Sequence, residues 1–295
     1  MRQLAVHVNG VDLNLRALGD PRAPLVLFLH GFPEYSAAWD ALLPAFADRF
    51  HAVAPDQRGY ARSGKPNALE AYRIKHLVRD VLGLGEWFSA GRPFSIVAHD
   101  WGASVAYATA IAAPGRVARL VVLNGVHPGP FQRALLEDAG QRAASAYIRD
   151  LRDPTAEAAL SANGFEKLWG MLGRFGAETW LTPAKAAGYL EAWSVPGALT
   201  AMLNWYRATP LLVPAVGEMI DTAALPKLDP ATLRVRMPHL LIWGMEDRAL
   251  LPVSWAALAE YCDDLVVREI ASADHWLVHQ KPAEVTGLID AFLRG

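Results

Sequence analysis

Short runs of consecutive apolar residues recur along the chain: PLVLFL at 24–29, HAVAP at 51–55, PFSIVA at 93–98, RLVVLN at 119–124 and PHLLIW at 238–243, each closed by turn residues. A run that is apolar at odd and even positions alike has no polar face to offer water, so each predicts a strand buried on both sides. DLVVREI at 264–270 predicts a further strand near the end. The opening reads differently. Leu4–Val8 and Val11–Arg16 alternate around Asn9-Gly10, a pair suited to the positive-φ positions of a tight hairpin turn, which predicts an antiparallel start. Between the buried runs, Ala71–Ser89, Ala103–Ala113, Ser254–Tyr261 and Ala283–Leu293 have helical length and period. Strand alternating with helix implies crossover connections, hence an α/β fold whose mostly parallel sheet carries helices on both faces.

The alternation breaks from Pro128 to Pro210. Ala, Leu, Glu, Arg and Trp dominate there and no β-branched run appears, which predicts an all-helical insertion of about 80 residues. Asn163-Gly164, Pro183 and Pro196-Gly197 divide it into four or five short helices. The expected organisation is therefore a core domain of residues 1–127 and 211–295 and a helical cap of 128–210. The aromatics of FEKLWGML, FGAETWL and LEAWSV in that cap either close a mostly apolar pocket or form the cap's own core.

Composition narrows the partners. With 53% hydrophobic residues and 28 basic against 30 acidic side chains, the chain is an ordinary globular protein with no electrostatic footprint for nucleic acid or an anionic membrane. No stretch approaches the roughly 18 apolar residues of a membrane span and no secretory leader opens the sequence, so a cytoplasmic location is expected. The single cysteine, Cys262, excludes an intrachain disulfide and Cys-rich zinc sites.

Three placements carry chemistry. In Ala98-His99-Asp100-Trp101-Gly102, a carboxylate sits where strand FSIVA turns into helix ASVAYATA, with small residues two positions to either side. A side chain presented on so sharp a turn leaves no room for Cβ atoms at those flanking positions. The plainer alternative is that Asp100 merely caps the helix. Asp247, in Gly244-Met245-Glu246-Asp247, follows strand HLLIW, and His275, in Ala273-Asp274-His275-Trp276, follows DLVVREI. Both lie past the carboxyl ends of parallel strands, where open α/β sheets bind ligands. The order nucleophile, acid, histidine is that of the α/β-hydrolases. In that fold the loop after the first central strand, here His30-Gly31-Phe32-Pro33, supplies backbone N–H groups, so those of Phe32 and Trp101 are expected to form an oxyanion hole. The bland reading of this loop is a turn with a cis proline.

Several side chains carry weaker readings. Glu246 is the alternative acid. His275 and His279 are four apart, but HWLVH lacks the glutamate of the zinc motif, and no metal or cofactor is expected. The side chain of His99 should point away from the pocket, and Arg58 and Arg62 should fix the loop after HAVAP rather than bind phosphate.

HGFPE at 30–34, DQRGYARSGKP at 56–66, VAHDWGA at 97–103, NWYR at 204–207, WGMED at 243–247 and DHW at 274–276 together resemble the epoxide hydrolases of the α/β-hydrolase superfamily, over nearly the whole chain. The first two and last two motifs are shared with haloalkane and haloacetate dehalogenases; HDWG followed by NWYR discriminates. The resemblance implies two cap tyrosines over the nucleophile. Tyr206 in NWYR matches one, and Tyr147, seven residues before Pro154, matches the other. Ala61 and Asp274 stand where glycine is common in the group, and a carboxylate beside His275 bears on its basicity.

A carboxylate nucleophile suits displacement at an sp³ carbon, whereas serine suits attack on a carbonyl. The expected substrate is therefore a small apolar epoxide or an organohalide, opened by Asp100 to an alkyl-enzyme ester that His275-Asp247 then hydrolyses with water. Phenols serve an epoxide oxygen, which leaves as an alkoxide. The runner-up is a dehalogenase: Trp101 replaces the arginine that follows the haloacetate enzymes' nucleophile, but tryptophan there is also a halide ligand, and Trp169, Trp180, Trp193 and Trp205 are further candidates. A hydrolase fold kept as a binding or receptor protein is the remote alternative. Oligomeric state is left open, a homodimer included.

Overall fold

The computed structural model describes the chain except residues 175–179, 222–224 and 226–227. Eight strands, β1 (Arg2–Val8), β2 (Val11–Leu18), β3 (Leu25–Leu29), β4 (His51–Pro55), β5 (Phe94–His99), β6 (Val117–Leu123), β7 (His239–Gly244) and β8 (Leu265–Ile270), form one sheet in the order β1-β2-β4-β3-β5-β6-β7-β8. β1 and β2 pair antiparallel, as do β2 and β4, and every later pair is parallel. The hairpin register Val8↔Val11 leaves Asn9 (φ 47°) and Gly10 (φ 76°) as the two turn residues, the positive pair that matches strand twist. The central strands are buried on both faces, as their unbroken apolar runs require. Successive residues of β3 divide between them: Leu25, Leu27 and Leu29 join one core, Val26 and Phe28 the other.

Four helices flank the sheet: α1 (Ile74–Ser89), α2 (Trp101–Ala112), α9 (Leu277–Gln280) and α10 (Pro282–Arg294). Two expected boundaries move. The first helix is preceded by a separate 3-10 turn at Leu69–Tyr72, because Arg73 is extended (ψ 144°). The helix expected over 254–261 is instead two 3-10 turns, Pro252–Ser254 and Leu258–Tyr261, because the backbone leaves helical geometry between them at Trp255 (φ −124°, ψ −1°) and Ala257 (φ −91°, ψ 9°).

Between β6 and β7 the described residues contain helices and no strand: α3 (Pro128–Glu137), α4 (Ala139–Ala144), α5 (Tyr147–Arg152), α6 (Ala156–Arg174), α7 (Pro183–Ser194) and α8 (Ala198–Ala208). That is six helices rather than four or five. Asn163-Gly164 kinks α6, with Ala162 extended and residues 163–165 left-handed, while Pro183 and Gly197 stand at the heads of α7 and α8. No described helix is long and apolar enough to cross a membrane.

Candidate active site

β5 runs directly into α2, and Asp100 at the junction has φ 50° and ψ −122°. Such a conformation costs a non-glycine residue about 1–3 kcal/mol and persists only where the surroundings enforce it. They do so by close contact. A Cβ on Gly31 would lie 2.3 Å from the Asp100 Cβ, and one on Gly102 would lie 2.2 Å from the Leu29 carbonyl oxygen. Glycine at 31 and at 102 is thus a packing necessity. The capping alternative fails, because the Asp100 side chain makes no cap bond to α2.

The carboxylate instead faces the pocket. Its Oδ1 accepts the Phe32 N–H at 2.7 Å, and its Oδ2 lies 3.5 Å from His275 Nε2. The Phe32 N–H thus meets Asp100, and the peptide bond that follows, Phe32–Pro33, is cis. It is the one backbone donor on this carboxylate among the described residues; the Trp101 N–H heads α2 beside it. Burial alone would raise the Asp100 pKa, but the hydrogen bond and charge of His275, with His99 and the Phe32 N–H, outweigh it and hold the group below the usual carboxylate value.

His275 joins two carboxylates. Its Nδ1 is 2.8 Å from Asp247 Oδ2, which fixes the ring so that Nε2 faces Asp100. Asp247 is itself fully engaged: Oδ1 accepts the N–H groups of Ala249 and Leu250 at 2.8 and 2.9 Å, and Oδ2 also accepts Asn124 Nδ2 at 2.7 Å. Burial opposes charge on His275, yet Asp247 and Asp100 together raise its pKa well above the usual histidine value. Glu246 is exposed, which removes it as the acid. Asp274 points to its own turn, accepting the Trp276 N–H at 2.8 Å, and burial raises its pKa.

Both tyrosines line one cavity of about 1090 Å³ together with Asp100 and Trp101. Tyr206 comes from α8 and Tyr147 from α5, their rings 6.4 Å apart. Burial, then Tyr147, Asp100 and Tyr60, raise the Tyr206 pKa well above 10, so it carries its proton at neutral pH; the Trp101 side chain pulls the other way. Trp101 meets the Tyr206 ring edge-on at 5.0 Å. The cap tryptophans sit elsewhere, apart from Trp205. Trp169 packs on Trp193 at 4.4 Å within the helical segment, whereas Trp180 stacks on His279 of α9 at 3.9 Å, so these aromatics pack the segment together and onto the sheet domain rather than lining the cavity; Phe175 of FGAETWL lies outside the described residues.

The α/β hydrolase fold model matches residues 24–282. The chain is 33% identical over 291 residues to the AB hydrolase superfamily protein YfhM of Bacillus subtilis, covering 98% of this chain and 96% of that protein. To Epoxide hydrolase A of Mycobacterium tuberculosis it is 31% identical over 324 residues, covering 98% and 96%. Among solved structures, Bacillus megaterium epoxide hydrolase in complex with an inhibitor matches with a TM-score of 0.87 at 30% identity, covering 99% of this chain and 100% of that one. An epoxide hydrolase from metagenomes of hot environments matches at 0.89 and 33% identity, covering 99% and 98%. The chain belongs to the epoxide hydrolase family of the α/β-hydrolase superfamily.

In this epoxide hydrolase family member, residues that sequence reasoning did not assign hold the site together. Asn124, at the end of β6, donates to Asp247 and bonds the Gly244 backbone in both directions, at 2.7 and 3.2 Å. Glu34, the last residue of HGFPE, is buried beneath the site. Its Oε1 accepts Tyr189 Oη and His279 Nε2, both at 2.6 Å, while Oε2 lies 3.4 Å from His99 Nδ1. Burial alone would raise its pKa, but His279 and His99 hold it well below the usual value. His99 points away from the pocket as expected and bonds the His275 carbonyl at 2.8 Å. The spacing of His275 and His279 thus serves two carboxylates, with Asp247 and Glu34 as partners. Arg58 forms a buried pair with Asp80 through Nη2–Oδ1 at 2.6 Å, and exposed Arg62 reaches Glu191 of α7, so both arginines tie the loop after β4.

Proposed function

We propose that this protein hydrolyses epoxides to vicinal diols through a covalent ester on Asp100, with 128–210 serving as a cap over a core of 1–127 and 211–295. The observation carrying this reading is that Tyr147 and Tyr206 line the same cavity as the Asp100 carboxylate. Asp100 Oδ2 attacks an epoxide carbon as the ring C–O bond breaks, and the departing oxygen takes a proton from a tyrosine. Esterification removes one of the two negative charges that raise the His275 pKa, so His275 can give up its proton, which restores the tyrosine that protonated the departing oxygen. The neutral His275 Nε2 can then accept a proton from water as that water adds to Cγ of Asp100. The oxyanion falls to the N–H groups of Phe32 and Trp101, and cleavage of the Cγ–Oδ2 bond releases the diol carrying Oδ2. A cytoplasmic setting and a small apolar substrate belong to the same reading.

Single turnover in ¹⁸O-water should leave label in Asp100 and none in the first diol; label in that diol instead means direct attack by water. Losing one donor to a developing oxyanion costs roughly a hundred- to thousandfold in rate. Tyr206→Phe should slow epoxide opening by about that factor, and the double Tyr147→Phe, Tyr206→Phe change should nearly abolish it. A dehalogenase would tolerate both changes and instead lose halide release on Trp101→Phe, so the same variants assayed on epoxides, haloalkanes, haloacetates and aryl esters decide the leaving group. Turnover of none of these would favour a binding protein.

A further inference from the structure

The cavity that holds Asp100 extends well beyond the reacting atoms. α2 is buried on nearly every side, and its half-buried residues before the exposed end are Trp101, Ser104, Ala108 and Ile111. They recur at three- and four-residue spacing, so they form one stripe of the helix, and all four line the cavity. At 1.5 Å rise per residue the stripe runs about 15 Å from the nucleophile. Ser104 and Ala108 keep its middle low. Ile74 and Leu77 of α1, with Leu136 of α3 and Leu233, bound the trough.

Two polar side chains along the trough are already committed. Arg133 is the one lysine or arginine among the described residues lining it, and both its terminal nitrogens bond Glu260, each at 3.1 Å. Gln132 spends its amide on the Leu212 backbone, donating and accepting at 2.9 Å. An uncharged alkyl tail therefore finds apolar walls there, while a tail ending in a carboxylate finds no free cation among the described residues.

Resting on the epoxide reading above, we propose that the trough along α2 is an alkyl-chain subsite, and that the preferred substrates are uncharged linear terminal epoxides of about twelve carbons in all. The length follows from an extended chain advancing about 1.2 Å per bond, as a polypeptide does over its three bonds per residue. Ala108 sets the depth of the trough midway, which makes it the specificity-determining position.

The test compares kcat/KM for 1,2-epoxybutane, 1,2-epoxyoctane and 1,2-epoxydodecane with the wild type and with Ala108→Leu and Ala108→Trp, each checked for an unchanged thermal transition. Burial of a methylene is worth up to about fourfold, and partial exposure reduces this, so the dodecane-to-butane ratio should reach at least about a hundredfold in the wild type. It should fall at least tenfold in the variants, more for Trp than for Leu. Should Ala108→Trp fail to fold, Ala108→Leu carries the comparison. 11,12-Epoxydodecanoate should gain nothing from its carboxylate over the neutral oxirane. A flat chain-length series, a ratio unmoved by both variants, or a preference for the carboxylate would each overturn the subsite while leaving epoxide hydrolysis standing. Should no epoxide turn over, the catalytic reading fails. Calorimetric binding of dodecane-1,2-diol, weakened in Ala108→Leu, would then still support the subsite, and its absence would overturn that as well.

Discussion

At the scale of single residues, the central relationship is between His275 and its two carboxylates. His275 is raised well above its usual pKa by Asp247 and Asp100 in the resting protein. Its charged form therefore stabilises the fold fully below the unfolded value near 6.5, and that contribution is lost as pH rises through the higher folded value. Thermal melts taken from pH 6 upward should show the wild type losing stability with rising pH, and His275→Gln losing less. In the proposed mechanism the same variant removes the base but not the nucleophile, so it should accumulate the alkyl-enzyme, visible as an intact-mass increase equal to the substrate. Absence of any adduct would assign His275 an earlier role. Asn124 acts one step further out. A hydrogen bond to a charged group is worth about 1.5–3 kcal/mol, or roughly ten- to a hundredfold in rate when it is expressed in a transition state. Asn124→Ala should slow ester hydrolysis within that range, seen as a lower kcat with a preserved alkylation burst.

At the scale of elements, the site depends on how the helical segment is seated. Glu34 lies in the loop after β3, yet its carboxylate is held by Tyr189 of α7 and His279 of α9, and the Trp193 indole of α7 donates to the Pro33 carbonyl at 2.7 Å. On the other side, Trp205 of α8 donates to the Arg58 carbonyl at 2.9 Å, next to Tyr206. α7 and α8 are thus pinned to the two loops that border Asp100. Removing one buried donor from Glu34 leaves the charge less satisfied. Tyr189→Phe should accordingly lower stability by about 1.5–3 kcal/mol in denaturant titration, whereas a change within a few tenths would mean that His279 alone satisfies the carboxylate.

At the scale of the whole molecule, charge contributes little to capture of substrate. The net charge is −2, and Arg133, the one lysine or arginine among the described residues lining the cavity, is paired with Glu260. kcat/KM for a neutral epoxide should change less than about twofold between roughly 50 and 500 mM salt, where screening would sharply weaken capture of an anionic haloacetate. A steep salt dependence would require a charged substrate.

What the sequence determined by itself follows from local chemistry. Apolar runs with no polar face could become only doubly buried strands, and Asn9-Gly10 could close only a tight turn. The small residues around Asp100 marked a crowded strand-to-helix junction, Asp247 and His275 were marked by their places past the ends of parallel strands, and the family resemblance named Tyr147 and Tyr206. Helix limits were less legible, because Arg73 and the short segment after Pro252 were decided by packing against the core rather than by periodicity. Other features belonged to tertiary structure alone. Glu34 is 155 residues from Tyr189 and 245 from His279, and Asn124 is 123 from Asp247. The destination of a buried side chain's hydrogen bonds depends on which distant groups the fold brings within 3 Å, and no pattern of neighbours along the chain encodes that. The aromatics of the helical segment make the same point: their residue types announced burial, and only the packed helices decided that Trp169 would meet Trp193 and Trp180 would meet His279, while Tyr147 and Tyr206 line the cavity that holds Asp100.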